Sequence, residues 1–321
     1  MREYKLLEDI PLEMVQDVPS RYSFEYYDPD RGKGEGEKYD TIGPLLPPLL
    51  LHEQEKYEIL QGKLFVDHCR LKTQPLSYGL LITNKSNDFE LLRFLVYFKR
   101  EIGGFNTIEK AMAVSRFYEI TGRVPEELLM LLEIPKNEKY VKSYLQLSQA
   151  PDEVKLEVLR GNLHENTAFE IFRFAEESWQ MLTEFISRLY IGTKKRNEIL
   201  DMLRTISDGE SVNVERILKS DELAQILESG IDPPQIASKV NDFIIEKRYP
   251  AMSRYRKGFD GKLKEVDFGR DFHLTLPKDF EQWEFSLNIK FSSVEELKEK
   301  IEELKKISAS KSFSELMKLR Y

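Results

Sequence analysis

The hydrophobic period of this chain changes near residue 88, and that change constrains the fold more than any other feature. Before it, short β-prone runs alternate with proline, glycine and other turn residues. Three of these runs, at 48–51, 56–60 and 78–83, predict the strands of a small mixed sheet. After residue 88, apolar residues recur at the spacing of helices until about residue 249. The chain is therefore predicted to place a sheet domain before a helical one.

The last part of the chain combines a strand pattern with a helix pattern. Residues 285–291 alternate apolar and polar side chains, which is typical of a half-buried strand. Ser293 has the position of a helix N-cap, because Glu296 follows it three residues later. The apolar stripe of that helix comprises Val294, Leu297, Ile301, Leu304 and Ile307. These patterns predict a small C-terminal unit that contains both kinds of element.

A chain of 321 residues is long enough for two or three domains, because a domain typically has about 150 residues. We therefore predict an α+β multidomain chain. Its parts are a small mixed-sheet N-terminal domain at 1–95, an all-α domain at 96–208, and a C-terminal helical and α+β region at 209–321. The C-terminal region is also where two copies of the chain are expected to pair.

Capping residues locate the helices of the middle domain. Asn106 and Glu109 have the spacing of a capping box at the start of the first helix. A second helix is predicted at 125–132, because Pro125 suits a first helical position and two glutamates follow it. A third is predicted at 137–147, and a longer one is expected from Asn166 to Leu189.

The helices at 125–132 and 137–147 have the dimensions of a helix-turn-helix. In that motif the N-terminal end of the second helix enters the major groove, while lysines and amides hold phosphates. Suitable donors are Lys136, Asn137, Lys139, Tyr140, Lys142 and Ser143. The alternative is an ordinary helical hairpin with a solvated lysine-rich face, and the four-residue break contains no glycine, which such turns often have.

Two further places concentrate residues that could carry chemistry. Gly62 and Lys63 follow a predicted strand and suit phosphate contacts, although a lone glycine there favours a β-hairpin turn. Asp67, His68, Cys69 and Arg70 are consecutive, so they do not share a face, and no Cys or His pair has metal-ligand spacing. We predict no metal site. Cys69 is either a reactive thiolate beside Arg70 or an inert core residue.

Charge is distributed unevenly along the chain. The 48 basic and 56 acidic residues give a net charge of −8, which excludes indiscriminate binding of nucleic acid by the whole surface. Residues 247–264, in contrast, contain seven basic side chains and one acid, and 194–196 form a smaller basic cluster. Association depends on the local field at the contacting surface. We therefore expect modest, strongly salt-dependent DNA affinity through few phosphate contacts.

Cysteine content and hydropathy bear on location. Cys69 is the one cysteine, which is typical of a protein from a reducing compartment. The N-terminus is charged and has no signal-peptide core, and no apolar run reaches the roughly 18 residues of a membrane span. These features predict a cytoplasmic protein without a membrane partner.

Several segments, taken in order, resemble the motifs of the ParB family of DNA partition proteins. In the N-terminal domain, residues 9–12 together with 18–22 resemble the family's opening strand. Residues 43–51 resemble the next strand, and residues 57–62 resemble the strand before the nucleotide loop. In the helical domain they are 106–111, 141–151, 161–163 and Ala168, which resemble the helix start before the helix-turn-helix, the recognition helix and the helices after it. The resemblance covers roughly residues 8 to 190.

The resemblance implies a nucleoid-associated homodimer that binds specific double-stranded DNA in chromosome or plasmid partition. In much of the family this protein closes as a CTP-dependent clamp, so the resemblance also implies CTP, Mg²⁺, CTPase activity and a ParA-type ATPase as partner. We expect the arm that contacts this ATPase in many relatives to be missing or very short here. The residues for the nucleotide would be Gly62, Lys63, Lys99 and Arg100.

The chain departs from the family at both nucleotide motifs. The family follows its glycine with Glu-Arg-Arg, whereas Lys63, Leu64 and Phe65 follow Gly62 here. The family's Glu-Asn-x-x-Arg motif is represented only by residues 98–101, Phe-Lys-Arg-Glu. The guanidinium group of arginine donates two parallel hydrogen bonds to triphosphate oxygens, and a leucine or phenylalanine side chain cannot do so.

Two other functions use the same features. A helix-turn-helix serves transcriptional regulation through the same DNA contacts as partition. The third hypothesis is an enzyme of the similar sulfiredoxin fold, which would hydrolyse a nucleotide or use Cys69 as a thiol. Sulfiredoxin-like chemistry uses the order Gly-Cys-His-Arg, whereas residues 67–70 read Asp-His-Cys-Arg.

Overall fold

Short strands at the start of the chain form a five-stranded mixed sheet. The structure is a computed structural model that describes residues 4–30, 38–41, 43–53, 55–83, 87–210, 213–266, 268–269, 271–275 and 285–318. The strands are β1 (Tyr4–Ile10), β2 (Val15–Pro19), β3 (Leu49–Glu53), β4 (Lys56–Gln61) and β5 (Leu76–Ile82). Their order in the sheet is β1-β5-β3-β4-β2. The three strands predicted from the sequence are β3, β4 and β5, in its centre.

Pairing in this sheet is mixed, as predicted. β1 is antiparallel to β5 and β3 is antiparallel to β4, whereas β3 runs parallel to β5 and β2 runs parallel to β4. The central strand β3 is buried on both faces. Leu49 and Leu51 belong to the core under the helical domain, whereas Leu50 belongs to a smaller core on the opposite face. Successive side chains of a strand point to opposite faces, so these three leucines hold both layers together.

Gly62 connects β4 directly to the helix α1 (Lys63–Leu71). Its φ of 95° is left-handed, and a Cβ at this position would lie 2.9 Å from Cα of Pro48. Both facts require glycine. The hairpin turn favoured by the sequence is therefore wrong: the chain continues into a helix that buries Phe65, Val66 and Cys69 against one face of the sheet.

Helices follow one another from residue 88 onward. They are α2 (Asp88–Ile102), α3 (Thr107–Thr121), α4 (Glu126–Leu131), α5 (Glu138–Gln149), α6 (Asp152–Leu159), α7 (Glu165–Ile171), α8 (Trp179–Ser187), α9 (Thr193–Glu210), α10 (Val214–Leu218), α11 (Asp221–Leu227) and α12 (Pro233–Arg248). The predicted domain limits at 95 and 208 fall inside α2 and α9. Within the described part of the chain, no helix combines the length and apolar character needed to cross a membrane.

The capping box at the start of α3 is confirmed. The Asn106 side chain accepts the backbone N–H of Glu109 at 2.9 Å, and Glu109 Oε2 accepts the backbone N–H of Asn106 at 3.0 Å. Two backbone donors that the first turn leaves unpaired are thereby satisfied. The start of the helical domain is thus fixed by residues only three positions apart.

The long helix expected from Asn166 to Leu189 is wrong. The chain forms α7 and α8 instead, separated by a short 3₁₀ turn at Glu176–Ser178. The indole N–H of Trp179 donates to the carbonyl of Phe174 at 3.0 Å, and the rings of Phe172 and Trp179 lie 4.6 Å apart. The bend lets both apolar faces reach the core, which one straight helix would not allow.

The chain ends in a small α+β unit, as predicted. It comprises α13 (Pro250–Leu263), the antiparallel pair β6 (Phe272–Thr275) and β7 (Ser286–Ile289), α14 (Val294–Ser308) and α15 (Lys311–Met317). The Ser293 hydroxyl accepts the backbone N–H of Glu296 at 3.1 Å, which confirms the N-cap of α14. Within the predicted stripe of α14, Ile307 is buried, whereas Val294 and Ile301 are exposed.

Candidate nucleic-acid interface

α4 and α5 are joined by a tight turn. The backbone N–H of Ile134 donates to the carbonyl of Leu129 at 2.8 Å, and both side chains are buried. Between them, Glu133 has a φ of 57°, in the left-handed region that usually needs glycine. A glutamate thus takes the left-handed conformation for which a glycine is often used, in the turn between the two helices predicted to form a helix-turn-helix.

Glu133→Gly should stabilise the protein by about 0.5–1 kcal/mol. Glycine removes the steric cost of the left-handed conformation, which exceeds the entropy that it adds to the unfolded chain. Glu133 is exposed, and its 3.6 Å ion pair with Lys110 is weak. Urea unfolding measures the change, with Glu184→Gly, at an exposed position inside α8, as a control that should destabilise by a similar amount. If both variants lost the same free energy of unfolding, the left-handed conformation of Glu133 would not be strained.

One side of α5 is fixed against the helical core. Tyr144 is buried and its hydroxyl donates to Glu165 Oε2 at 3.0 Å. Burial, with the nearby Glu165 carboxylate, raises the pKa of Tyr144 well above its usual value. Leu147 is completely buried on the same side. This packing sets which side chains of α5 face outward.

The structure brings four of the six predicted DNA contacts to the surface together. Lys136, Asn137, Lys139 and Lys142 are exposed at the start of α5. Tyr140 is half-buried, and its ring lies nearly perpendicular to that of Phe169, with the centroids 6.3 Å apart. Ser143 is buried and its hydroxyl donates to the carbonyl of Lys139 at 3.0 Å. The inclusion of Ser143 among the contacts needs correction, because its donor is used inside the protein.

The exposed cations differ in how strongly they are already paired. Lys136 Nζ lies 2.8 Å from Glu126 Oε2, across the turn. Asn137 caps α5 by accepting the backbone N–H of Lys139 at 2.9 Å, which leaves its amide N–H₂ outward. Lys139 and Lys142 have no ion-pair partner among the described residues. Being three residues apart, they present two unneutralised charges on one face.

Arg123 is a further candidate that sequence reasoning missed. It is exposed two residues before Pro125, which caps α4. The start of the first helix of such a motif lies along the DNA backbone, where an arginine suits a phosphate. Its position two residues ahead of the predicted helix start was the sequence feature that could have identified it as a phosphate contact.

The other basic clusters are partly engaged within the protein. Three lysines of the 247–264 stretch form ion pairs with other elements: Lys247 with Glu222 at 2.8 Å, Lys257 with Glu246 at 2.7 Å, and Lys262 with Glu315 at 3.1 Å. In the smaller cluster, Arg196 donates to the carbonyls of Asn162 and Leu189. Three of the seven basic side chains counted at 247–264 are therefore neutralised by acids of other elements, whereas the carbonyl partners of Arg196 leave its charge unchanged.

The candidates for nucleotide binding lie near one another, but each faces a carboxylate or solvent. The Lys63 ammonium pairs with Asp67, and Lys99 Nζ lies 2.8 Å from Glu109 Oε1, with both side chains buried. The backbone N–H groups of Gly62 and Lys63 donate to Glu25, at 2.9 and 3.0 Å. Arg100 alone of the four is exposed.

These residues do not fit CTP and Mg²⁺. A triphosphate needs free N–H groups and cations, and here carboxylates of the same chain engage them. A cavity of about 310 Å³ opens beside Gly62, and Leu64, Phe65 and Phe98 contribute to its largely apolar lining. The structure thus offers apolar space where the resemblance implies a phosphate site.

The residues at 67–70 do not form a reactive centre. Cys69 is buried against the sheet, and burial raises the pKa of its thiol. Arg70 points elsewhere and donates to the carbonyls of Val15 and Gln16. In the part of the chain that the structure describes, no three His, Cys, Asp or Glu side chains are grouped to hold a metal ion.

Cys69 should react with Ellman's reagent only as fast as the native protein opens. A buried, protonated thiol is a poor nucleophile. We expect the rate in buffer to be at least about a hundredfold below the rate in urea, as for an amide protected by a few kcal/mol. Absorbance of the released thiolate measures both rates, with free cysteine as the control. Equal rates would restore the reactive-thiol hypothesis.

Comparison with known proteins gives a distant similarity. No protein-family model matches the chain, and no curated protein matches it significantly. The solved structures that match part of it include two of the C-terminally truncated chromosome-partitioning protein ParB from Caulobacter crescentus. The complex with CTP-γ-S has 17% identity over 57% of this chain and 97% of that one, with a TM-score of 0.25. The complex with the centromeric parS site has 17% identity over 61% and 97%, with a TM-score of 0.31.

Proposed function

We propose that this chain is a ParB-like protein that binds a specific duplex sequence and acts in chromosome or plasmid partition. α5 is its recognition helix. One observation carries the proposal: the start of α5 projects Lys139 and Lys142 into solvent, while the opposite side of the same helix is buried. A helix held in this way can enter the major groove without rearrangement.

The pattern of charges supports specific rather than general binding. Most lysines near residue 250 are paired with acids of the same chain. Few phosphate contacts therefore remain, and discrimination depends on base contacts from α5. Lysine suits guanine O6 and N7, and the Asn137 amide suits adenine. A site containing both bases within one half-site is the expected target.

Selection from a random duplex pool tests the proposal directly. The full chain should enrich one sequence motif. Gel-shift assays at several salt concentrations should give a shallower dependence of affinity on salt than the strong dependence expected from the sequence, because fewer unpaired cations remain for phosphate contacts. An enriched pool without a common motif would reject specific recognition. An unrelated duplex of equal length is the control.

A palindromic target requires two recognition helices, so we propose that the protein acts as a homodimer. Half-sites would lie about 34–36 Å apart, one helical turn of DNA. Phe291 and Val294, which are 52% and 62% exposed in the C-terminal unit, offer apolar surface for the pairing. Sedimentation equilibrium of the full chain tests this, and a monomer at all concentrations would exclude it.

Partition is preferred over transcriptional regulation because the mixed sheet precedes the helix-turn-helix, in the order of the ParB-like motifs. Genome-wide crosslinking separates the two roles. Partition predicts binding that spreads from one locus, with a ParA-type ATPase as its partner. Scattered binding at promoters would favour regulation. The enzyme hypothesis has no support from the buried Cys69.

A further inference from the structure

A carboxylate of this chain occupies the start of α1. Glu25 Oε1 accepts from the Gly62 backbone N–H at 2.9 Å and from Gln61 Nε2 at 3.0 Å. Glu25 Oε2 accepts from the Lys63 backbone N–H at 3.0 Å. Burial raises the pKa of Glu25, and the N–H groups of Lys63 and Gly62 oppose that rise. The protein therefore holds this carboxylate in place despite the cost of removing it from water.

The donors that Glu25 satisfies are those of an oxyanion site. Successive backbone N–H groups at a strand-to-helix junction point toward one position, and the helix dipole favours negative charge there. The left-handed φ of Gly62 turns its N–H toward the same position as that of Lys63. The two oxygens of the Glu25 carboxylate accept the backbone N–H groups of Gly62 and Lys63, as two oxygens of a bound phosphate would.

The segment that carries Glu25 is tied down on both sides. We call residues 20–30 the strap. Ahead of Glu25, the Tyr22 hydroxyl donates to Asp88 Oδ1 at 2.8 Å. After it, the Arg160 guanidinium makes a fork on Asp28, at 2.7 and 2.9 Å. These contacts join the strap to α2 and to the end of α6, so Glu25 is presented to α1 by tertiary structure.

The cations nearby are engaged in the same way. The Lys63 ammonium turns to Asp67, whose other oxygen accepts from the Tyr27 hydroxyl of the strap at 3.1 Å. Lys99 is paired with Glu109, which also accepts the Tyr26 backbone N–H at 3.4 Å. The two buried cations, Lys63 and Lys99, thus already have carboxylate partners, and those carboxylates also fasten the strap.

We propose that Glu25 is a built-in oxyanion that replaces a ligand's phosphate at the start of α1, so that the strap is held in place without a nucleotide. This inference does not depend on DNA binding. The ParB-like motifs imply that CTP stabilises this arrangement. In this chain the Glu25 carboxylate takes the place of the nucleotide.

Calorimetric titration of the wild-type chain with Mg–CTP and with Mg–pyrophosphate should give no binding tighter than about 1 mM. The Glu25→Ala variant frees the donors of Gly62 and Lys63. We expect it to bind pyrophosphate at least about tenfold more tightly than wild type, a gain of about 1.4 kcal/mol. Glu8→Ala, which removes an exposed carboxylate from β1, is the matched control and should bind like wild type.

A measurement on the wild-type chain covers the case in which Glu25→Ala does not fold. Hydrogen exchange of the Gly62 and Lys63 amides should be slow without nucleotide and unchanged by CTP. Fast exchange that CTP slows, or binding of Mg–CTP by the wild-type chain more tightly than about 1 mM, would overturn the proposal. An alanine variant that folds without gaining affinity for pyrophosphate would also overturn it. Selection of a DNA motif is unaffected by any of these results.

Discussion

Replacing Lys139 and Lys142 together by alanine is expected to lower affinity for the selected duplex about a hundredfold or more, since each contact contributes about 1–3 kcal/mol. Both side chains are exposed, and among the described residues neither takes part in an ion pair. Their removal should therefore leave the free energy of unfolding within about 0.5 kcal/mol of wild type. Fluorescence anisotropy with a labelled duplex measures the affinity, and circular dichroism checks the fold.

The salt dependence of DNA affinity in this double variant shows whether the two lysines contact phosphates or bases. A lysine on phosphate contributes about 0.9 to the slope of log affinity against log salt, whereas a lysine on a base edge changes mainly the preference for the selected sequence. Lys239→Ala with Lys306→Ala removes two exposed charges from α12 and α14 as the control. A loss below about threefold in the double variant, or an equal loss in the control, would contradict α5 as the recognition helix.

Replacing Lys99 by methionine should destabilise the protein by about 3–5 kcal/mol. The variant leaves the Glu109 carboxylate buried without its cation, which lies 2.8 Å away in the native protein. Arg100→Met, at the exposed neighbouring position, is the matched control and should change stability by less than about 0.5 kcal/mol. Urea unfolding of both variants measures the difference.

A double variant separates the ion pair from simple loss of packing. Lys99→Met with Glu109→Gln removes both buried charges, so it should recover part of the loss. Unchanged stability of Lys99→Met would instead mean that Lys99 is available to a ligand, as the family resemblance implies. The two results therefore distinguish a structural lysine from a nucleotide-binding one.

Local chemistry made parts of the fold predictable. Asn106 with Glu109 and Ser293 with Glu296 mark helix starts through hydrogen bonds three residues apart. Short β-prone runs bounded by turn residues likewise predicted β3, β4 and β5. Such signals depend on neighbouring residues, so they survive in any tertiary setting. The bend between α7 and α8 was missed because the apolar period continues through it, and only the packing of Trp179 decides where the chain turns.

For the interface, the sequence alone determined where α5 begins and which residue types stand at its start. Which of them face outward was decided by tertiary structure: Lys139 and Lys142 remain exposed, whereas Ser143 is buried. The same holds for the start of α1. Gly62 is visible in the sequence, but the carboxylate that meets it comes from Glu25, 37 residues earlier. Helical and strand periods describe neighbours along the chain, and a contact between distant segments exists only once the sheet and helices have packed.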